Sequence, residues 1–398
     1  MRKSTTLRRL TAGTLTALVL IASAGTAGCS LNRSVNLRYP GTDIPVVDAI
    51  AATDAVATLD DAADDAAIWV HPTNPALSLV LGTNKKAGLE VYDLKGIRLQ
   101  ALNDGLINNV DIVQFPAGPD LAFGTNRTDN SITVYTIDAA SRAVRIVPEA
   151  RIPTGVAIDA DEVYGIGAYV LPTATADPVA HVVLAMKSGH VMVYRVAAPT
   201  ASRQAWSHEM IEHFQVGTQI EGVVADVATG RLFIGEEAVG VWAYRLPGLP
   251  PAAEDDEAPA RVLVDVVRAH VSTSRRRSTD AYTPAGGNLA SDVEGLALVR
   301  GTRAAYLIVS CQGEDRFAVY NANSLHYMGS VRVRYASSAG FDPVTHTDGV
   351  TALALPLGPA FPSGAMVMQD DNDGSPQNFK FVSWADVERA LDLEPVRP

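Results

Sequence analysis

Cysteine is nearly absent from this chain. Two in 398 residues are too few for a disulfide framework or a thiolate metal site. The eight histidines show no metal-ligand spacing, and no glycine-rich phosphate loop followed by Lys-Ser/Thr occurs. Lysine and arginine number 32 against 44 acids, a formal net charge of −12. That deficit argues against nucleic acid as a partner, because affinity for it rests on basic side chains neutralising phosphates. A phosphorylated substrate stays open, provided metal cations or a local basic patch meet its charge. At 47% hydrophobic, the chain has ample core for a globular fold, which excludes a disordered or fibrous one.

An apolar targeting run lies at the N-terminus. Arg2, Lys3, Arg8 and Arg9 form a basic region, Leu10 to Ala24 an apolar one, and Thr26-Ala27-Gly28-Cys29 ends it with small residues before a cysteine. Residues 1–28 therefore read as an export signal. The ending resembles a bacterial lipoprotein signal, with Cys29 as the lipidated first residue of the mature chain. An exported protein is expected, touching a membrane only through that anchor. Residues 29–50 read as a linker and 51–392 as one domain. Cys311, in an apolar run, reads as a buried structural thiol, and His71, before Pro72, as a turn residue.

The domain repeats itself. An apolar run, a polar hairpin and a second strand recur at Leu79 to Tyr92, Leu121 to Tyr135, Val182 to Tyr194, Leu232 to Tyr244 and Tyr306 to Tyr320. A sixth runs from Ala365 to Asp370 and resumes at Phe379 to Val382. Each unit follows another strand-like segment with a polar start. Short β-rich units in series predict an all-β fold, a six-bladed β-propeller of four- to five-stranded antiparallel blades. Residues 247–290, with Pro-rich and charged stretches, read as an insertion loop between the fourth and fifth blades. A closed propeller needs no partner chain, so a monomer is expected.

In a meander successive strands reverse, so the start of the first strand and the end of the second lie at one end of the sheet. One face should therefore gather Asp64, Asp65, Asp111, Glu162, Tyr164, Glu221, Asp292, Glu294 and Asp348 from the strand starts. The hairpins should add Lys85, Lys86, Arg127, Lys187, Glu236, Glu237, Gln312 and Asp370. The signs are sorted: hairpins one to three are basic, four to six acidic or amide. Two carboxylates about 4 Å apart repel by roughly 4 kcal/mol at an effective dielectric near 20, so such a mouth needs cations. Oxygen-only ligands point to a hard ion, and their number favours calcium over magnesium and zinc. The basic half suits phosphate groups, with Arg127 able to grip one in bidentate fashion. Metal-assisted phosphoryl hydrolysis is the chemistry that joins the two halves.

Asp61-Ala-Ala-Asp-Asp-Ala-Ala-Ile-Trp69, with Asn108-Asn-Val-Asp111 downstream, resembles the signature motifs of the β-propeller phytases, the alkaline phytases of bacteria. The similarity continues through Thr83 to Lys86, Asn126-Arg127, Glu162 to Gly165, Ile220 to Gly222, Gly235 to Glu237, Asp292 to Leu296, Thr347 to Gly349 and Gln377 to Lys380. The resemblance implies calcium-dependent removal of phosphate from phytate, inositol hexakisphosphate, by a water bridging calcium ions. It implies that Asp65, Glu221, Glu237, Asp292, Glu294 and Asp348 are calcium ligands, with Asp64 beside them. Asp370, in its own acidic turn, is a further candidate ligand. Lys85, Lys86, Arg127, Lys187 and Tyr164 would hold phosphates, and Asp64, Glu221, Glu237, Lys85 and Arg127 would serve catalysis. Ala66 stands where the family usually has proline, and Ala238 where a third acid is common. The alternatives are another calcium-dependent propeller hydrolase, a lactonase or phosphoesterase, and a non-catalytic propeller lipoprotein. A lactonase has no use for three basic hairpins beside the metals.

Overall fold

The structure, a computed structural model, describes residues 44–172, 177–250, 261–268, 287–334, 340–371 and 376–397. The expected export signal and Cys29 lie outside them. The remainder builds six small antiparallel sheets in chain order, the six blades that the repeat predicts. Blade one is Ala63–Trp69, Leu79–Asn84, Gly88–Asp93 and Arg98–Leu102. Blade two is Ile107–Val113, Asp120–Asn126, Ser131–Asp138 and Ala143–Ile146, with Ile152–Pro153 alongside. Blade three is Val163–Tyr169, Val179–Met186, His190–Ala197 and Ser207–Gln215. Blade four is Ile220–Asp226, Arg231–Glu236, Gly240–Arg245 and Arg261–Val266.

Burial explains the sequence of each strand. Second strands such as Leu79–Asn84 and Ala305–Cys311 are apolar on both faces and buried throughout, because each face packs on a neighbouring blade. The outermost strand of blade three, Ser207–Gln215, is polar and mostly exposed. The first strands touch one another in cyclic order, and Val350–Leu353 of the last blade reaches Ala63–Trp69 of the first. Cys311 is buried, and its thiol is pushed up by that burial. His71 accepts the N–H groups of Thr73 and Asn74 through Nδ1, the turn role expected for it.

Closure uses the N-terminus twice. Val46–Asp48 pairs in parallel with Tyr327–Arg334, the fourth strand of blade five, whose others are Val293–Arg300, Ala305–Cys311 and Arg316–Asn321. Ala51–Ala52 completes blade six beside Asn378–Ser383, Ala365–Asp370 and Val350–Leu353. Residues 46–48 thus belong to the propeller and not to a linker, and three residues on a sheet edge leave no periodic signal to show it. Arg261–Val266 lies inside the stretch read as an insertion loop, yet it is the fourth strand of blade four. Residues 251–260 and 269–286 of that stretch lie outside the described residues. A helix, Trp384–Ala390, packs its buried Trp384 and Val387 onto the core of blades five and six.

Candidate active site

The site is built on one irregularity repeated around the ring. In five blades the pairing of first and second strands slips by one residue, between Ala63 and Ala66, Ile107 and Val110, Val163 and Ile166, Ile220 and Val223, and Val293 and Leu296. Such a bulge re-aims the side chain it carries. The residues it carries in first place are Asp64, Asn108, Tyr164, Glu221 and Glu294. In blade six, Asp348 takes the same position just ahead of Val350–Leu353. Hydroxyls on second strands fill the slips: Asp65 donates its N–H to Thr83 Oγ1 and Asn109 its own to Thr125 Oγ1, both at 2.9 Å.

The residue after each of the last four is glycine, and the packing requires it. A Cβ on Gly165 would lie 1.8 Å from the Glu221 carbonyl oxygen, and one on Gly222 would lie 2.2 Å from that of Glu294. Without side chains, adjacent bulges close up and bond: Gly295 N–H donates to the Asp348 carbonyl and Gly349 N–H to that of Asp64. Gly165→Ala is expected to cost about 1–3 kcal/mol through forced backbone movement and to displace Glu221. Denaturant unfolding measures the first effect, and an unchanged midpoint would contradict the packing account.

The ring gathers acid. Carboxylate oxygens of Glu221, Glu237 and Glu294 all lie within 4.8 Å of one another, and all three side chains are buried. Burial first, then the Asp64 charge, pushes Glu221 up to about 8. Burial and the Asp292 charge outweigh a hydrogen bond from Gln219 and take Glu237 to about 7. Glu294 is raised well above the usual range by burial and by Glu221, its hydrogen-bond partner. Its Oε2 is buried without a hydrogen-bond partner. Burial and Asp64 raise Asp348 likewise, against the pull of Lys85. These groups resist ionisation together, which is the condition a multivalent cation relieves.

Basic and amide groups rim the acids. Lys85 Nζ meets Asp61 at 2.7 Å, Asp64 at 2.8 Å and Asp348 at 3.5 Å. Its burial alone would lower it, but Asp64 and Asp348 hold it charged. Glu162 bridges Arg127 Nε at 2.6 Å and Lys187 Nζ at 3.1 Å. Burial would raise Glu162, but those two cations outweigh it and leave it low. Lys187 also sits over the Tyr164 ring, 4.7 Å from its centre. The Glu221 charge, then burial, raises the Tyr164 hydroxyl steeply, so it remains a donor. Lys86 bonds the Leu59 carbonyl at 3.0 Å near the periphery.

Asn108 joins the halves, although nothing in its charge marks it as a candidate in the sequence. Its amide nitrogen donates to Asp64 at 2.9 Å and reaches Glu221 at 3.4 Å, while its oxygen accepts from Arg127 at 2.9 Å. The signal was available: Ile107-Asn108-Asn109-Val110 aligns with Ala63-Asp64-Asp65-Ala66. Asp111, expected at the mouth, instead bonds the backbone of Ile112 and Ala168 in the wall. Glu236 likewise turns into the blade, to Thr218 and Trp242. Asp65 sits one place along the bulge and receives the Val110 N–H at 3.2 Å. Asp292 lies close enough for its charge to raise Glu237. Asp370, expected as a metal ligand, is fully buried against Lys380 and the Thr345 N–H. A lysine already supplies the cation there.

The chain is similar to proteins of known name. A 3-phytase of Bacillus subtilis (strain 168) is 32% identical over 363 residues, covering 88% of this chain and 86% of that protein. Among solved structures, the β-propeller domain of Cps50 (Swd1) from Myceliophteria thermophila aligns at a TM-score of 0.42 and 10% identity, over 81% of this chain and 83% of that one. The sequence model of the phytases matches residues 10–396, and this chain belongs to the phytase family.

Proposed function

We propose that the chain is a calcium-dependent 3-phytase, hydrolysing inositol hexakisphosphate to lower inositol phosphates and inorganic phosphate. The observation that carries the metal is the buried Glu221, Glu237 and Glu294 trio, with one oxygen of Glu294 unpartnered. An oxygen-only donor set in that number fits calcium. Glu221, Glu237, Glu294 and Asp348 would hold it, with Asp64, Asp65 and Asp292 adjoining. Calcium, when bound, would supply positive charge to the phosphoryl oxygens and activate the attacking water.

The chain's own groups do the rest. Arg127 has its Nε fixed by Glu162 and one terminal nitrogen by Asn108, which orients the remaining donors of the fork towards a phosphate. Lys187, held over Tyr164, and Lys85, held at the acid rim, bring two more cations to the same mouth. Lys86 extends the basic side outward. The Tyr164 hydroxyl, kept protonated by its acidic neighbours, donates to a phosphate oxygen. Phosphate release from phytate, assayed in calcium and in excess chelator, tests the reading. Activity is expected only with calcium, and equal rates in both would sink it.

With this goes export over residues 1–28 and lipidation of Cys29. A bacterial lipoprotein carries several acyl chains, enough for stable attachment. Mass spectrometry of the mature N-terminus checks it, and a start at any residue other than a modified Cys29 counts against it.

A further inference from the structure

The outer edge of blade three carries an imidazole pair that the mouth does not use. His190 opens the strand His190–Ala197, and His213 lies in its neighbour Ser207–Gln215. Pairing sets His190 opposite Gln215 and Met192 opposite His213. The two histidines are therefore diagonal neighbours on one face of the sheet. Nδ1 of His190 and Nε2 of His213 are 3.2 Å apart, with ring centres 5.1 Å apart and planes at 44°. His213 is exposed and His190 half-buried. This is the one imidazole–imidazole contact among the described residues.

The spacing is that of a chelate. Two nitrogens each about 2.0–2.1 Å from a zinc ion lie about 2.9 Å apart at a right angle and about 3.4 Å apart at the tetrahedral angle. The observed 3.2 Å falls between, so one ion can meet both nitrogens with little movement of either strand. Imidazole selects zinc, nickel and copper, whereas calcium and magnesium take oxygen ligands. The net charge of −12 also favours a cation. With no ion bound, one ring donates its N–H to the other. On binding a metal the donor ring shifts that proton to its other nitrogen, so that both facing nitrogens offer a lone pair to the ion.

We propose that His190 and His213 form a surface site for a transition-metal ion of the Zn2+, Ni2+ and Cu2+ class, with water completing its shell. The site lies at the foot of the hairpin that carries Lys187, where Val216 N–H donates to the Gly189 carbonyl at 2.9 Å. A bound ion cross-links the two strands at that point.

The untagged protein, held in excess calcium, is titrated with Cu2+ and followed by electron paramagnetic resonance. One equivalent is expected to bind with coupling to two nitrogens. His213→Gln should lose one coupling and bind at least about tenfold more weakly, with its unfolding midpoint unchanged when no transition metal is present. If His190→Gln folds poorly, His213→Gln alone decides. A wild type without the two-nitrogen signal, or a His213→Gln spectrum identical to it, overturns the proposal.

Discussion

Glu221→Gln is expected to cut phosphate release by about 10²–10³-fold, the loss seen when one group that stabilises developing charge is removed. Yet it should make the calcium-free protein more stable in alkali. The reason is the sign of the linkage. Glu221 sits near 8 in the folded chain against an ordinary 4.5, so the folded state binds its proton more tightly than the unfolded state does. Stability from that group is complete below about 4.5 and is lost as pH rises towards about 8. Glu237, near 7, is lost over a window ending lower. Each pH unit across such a window costs about 1.4 kcal/mol for one group, and the trio titrates as a unit.

Glutamine carries no such charge, so the variant's stability should fall less steeply between pH 5 and 8, values taken about the ends of that window. Calcium reverses the ranking. An ion at about 100 times its dissociation constant stabilises the wild type by about 2.7 kcal/mol, and a variant short of one donor gains less. Denaturant unfolding at both pH values, with calcium and with chelator, reads all four corners. A calcium-free wild type equally stable at both, or an equal calcium gain in both proteins, would remove Glu221 as the source of the pH dependence and of the calcium gain.

The sequence makes the blades legible because each second strand is an apolar run with both faces buried, followed by a polar hairpin. It is less direct about the mouth, where one inserted residue decides which of two neighbours faces in. Asp64 and Asp65 are equal candidates on the page, but the slip between Ala63 and Ala66 aims the first at Lys85 and Asn108 and the second at the Val110 N–H. Glu236 and Glu237 also part, although no slip falls between them: Trp242 takes the first, and the second joins the cluster. Asn108 is inconspicuous in the sequence because an amide carries no charge. His190 and His213 are 23 residues apart, a separation with no ligand spacing, and only strand pairing brings them together.

Asp370 shows the converse, a residue whose surroundings in the sequence mimic a metal loop. Asp370-Asp-Asn-Asp-Gly374 reads as oxygen ligands, but Lys380, ten residues on and in the paired strand, reaches back into the space. Lys380 is fully buried, bonded to Asp370, to Asp342 at 2.8 Å and to the Pro343 carbonyl at 3.2 Å. Burial raises Asp370 and Lys380 pulls it back. Lys380→Met would leave a buried carboxylate without its cation, a change that costs about 3–5 kcal/mol. The deficit should shrink in acid, where Asp370 can take a proton and shed its charge. Asp370→Asn in the same chain should recover much of it, because the buried charge is then gone and the other carboxylate that loses the lysine, Asp342, is partly exposed to water. Activity per folded molecule should be preserved in both, since neither residue joins the Glu221, Glu237 and Glu294 cluster. Unfolding free energies of the single and double variants at neutral and acid pH measure this. If Lys380→Met instead lost calcium-dependent activity without losing stability, Asp370 would belong to the metal site after all, and the lysine would be its regulator.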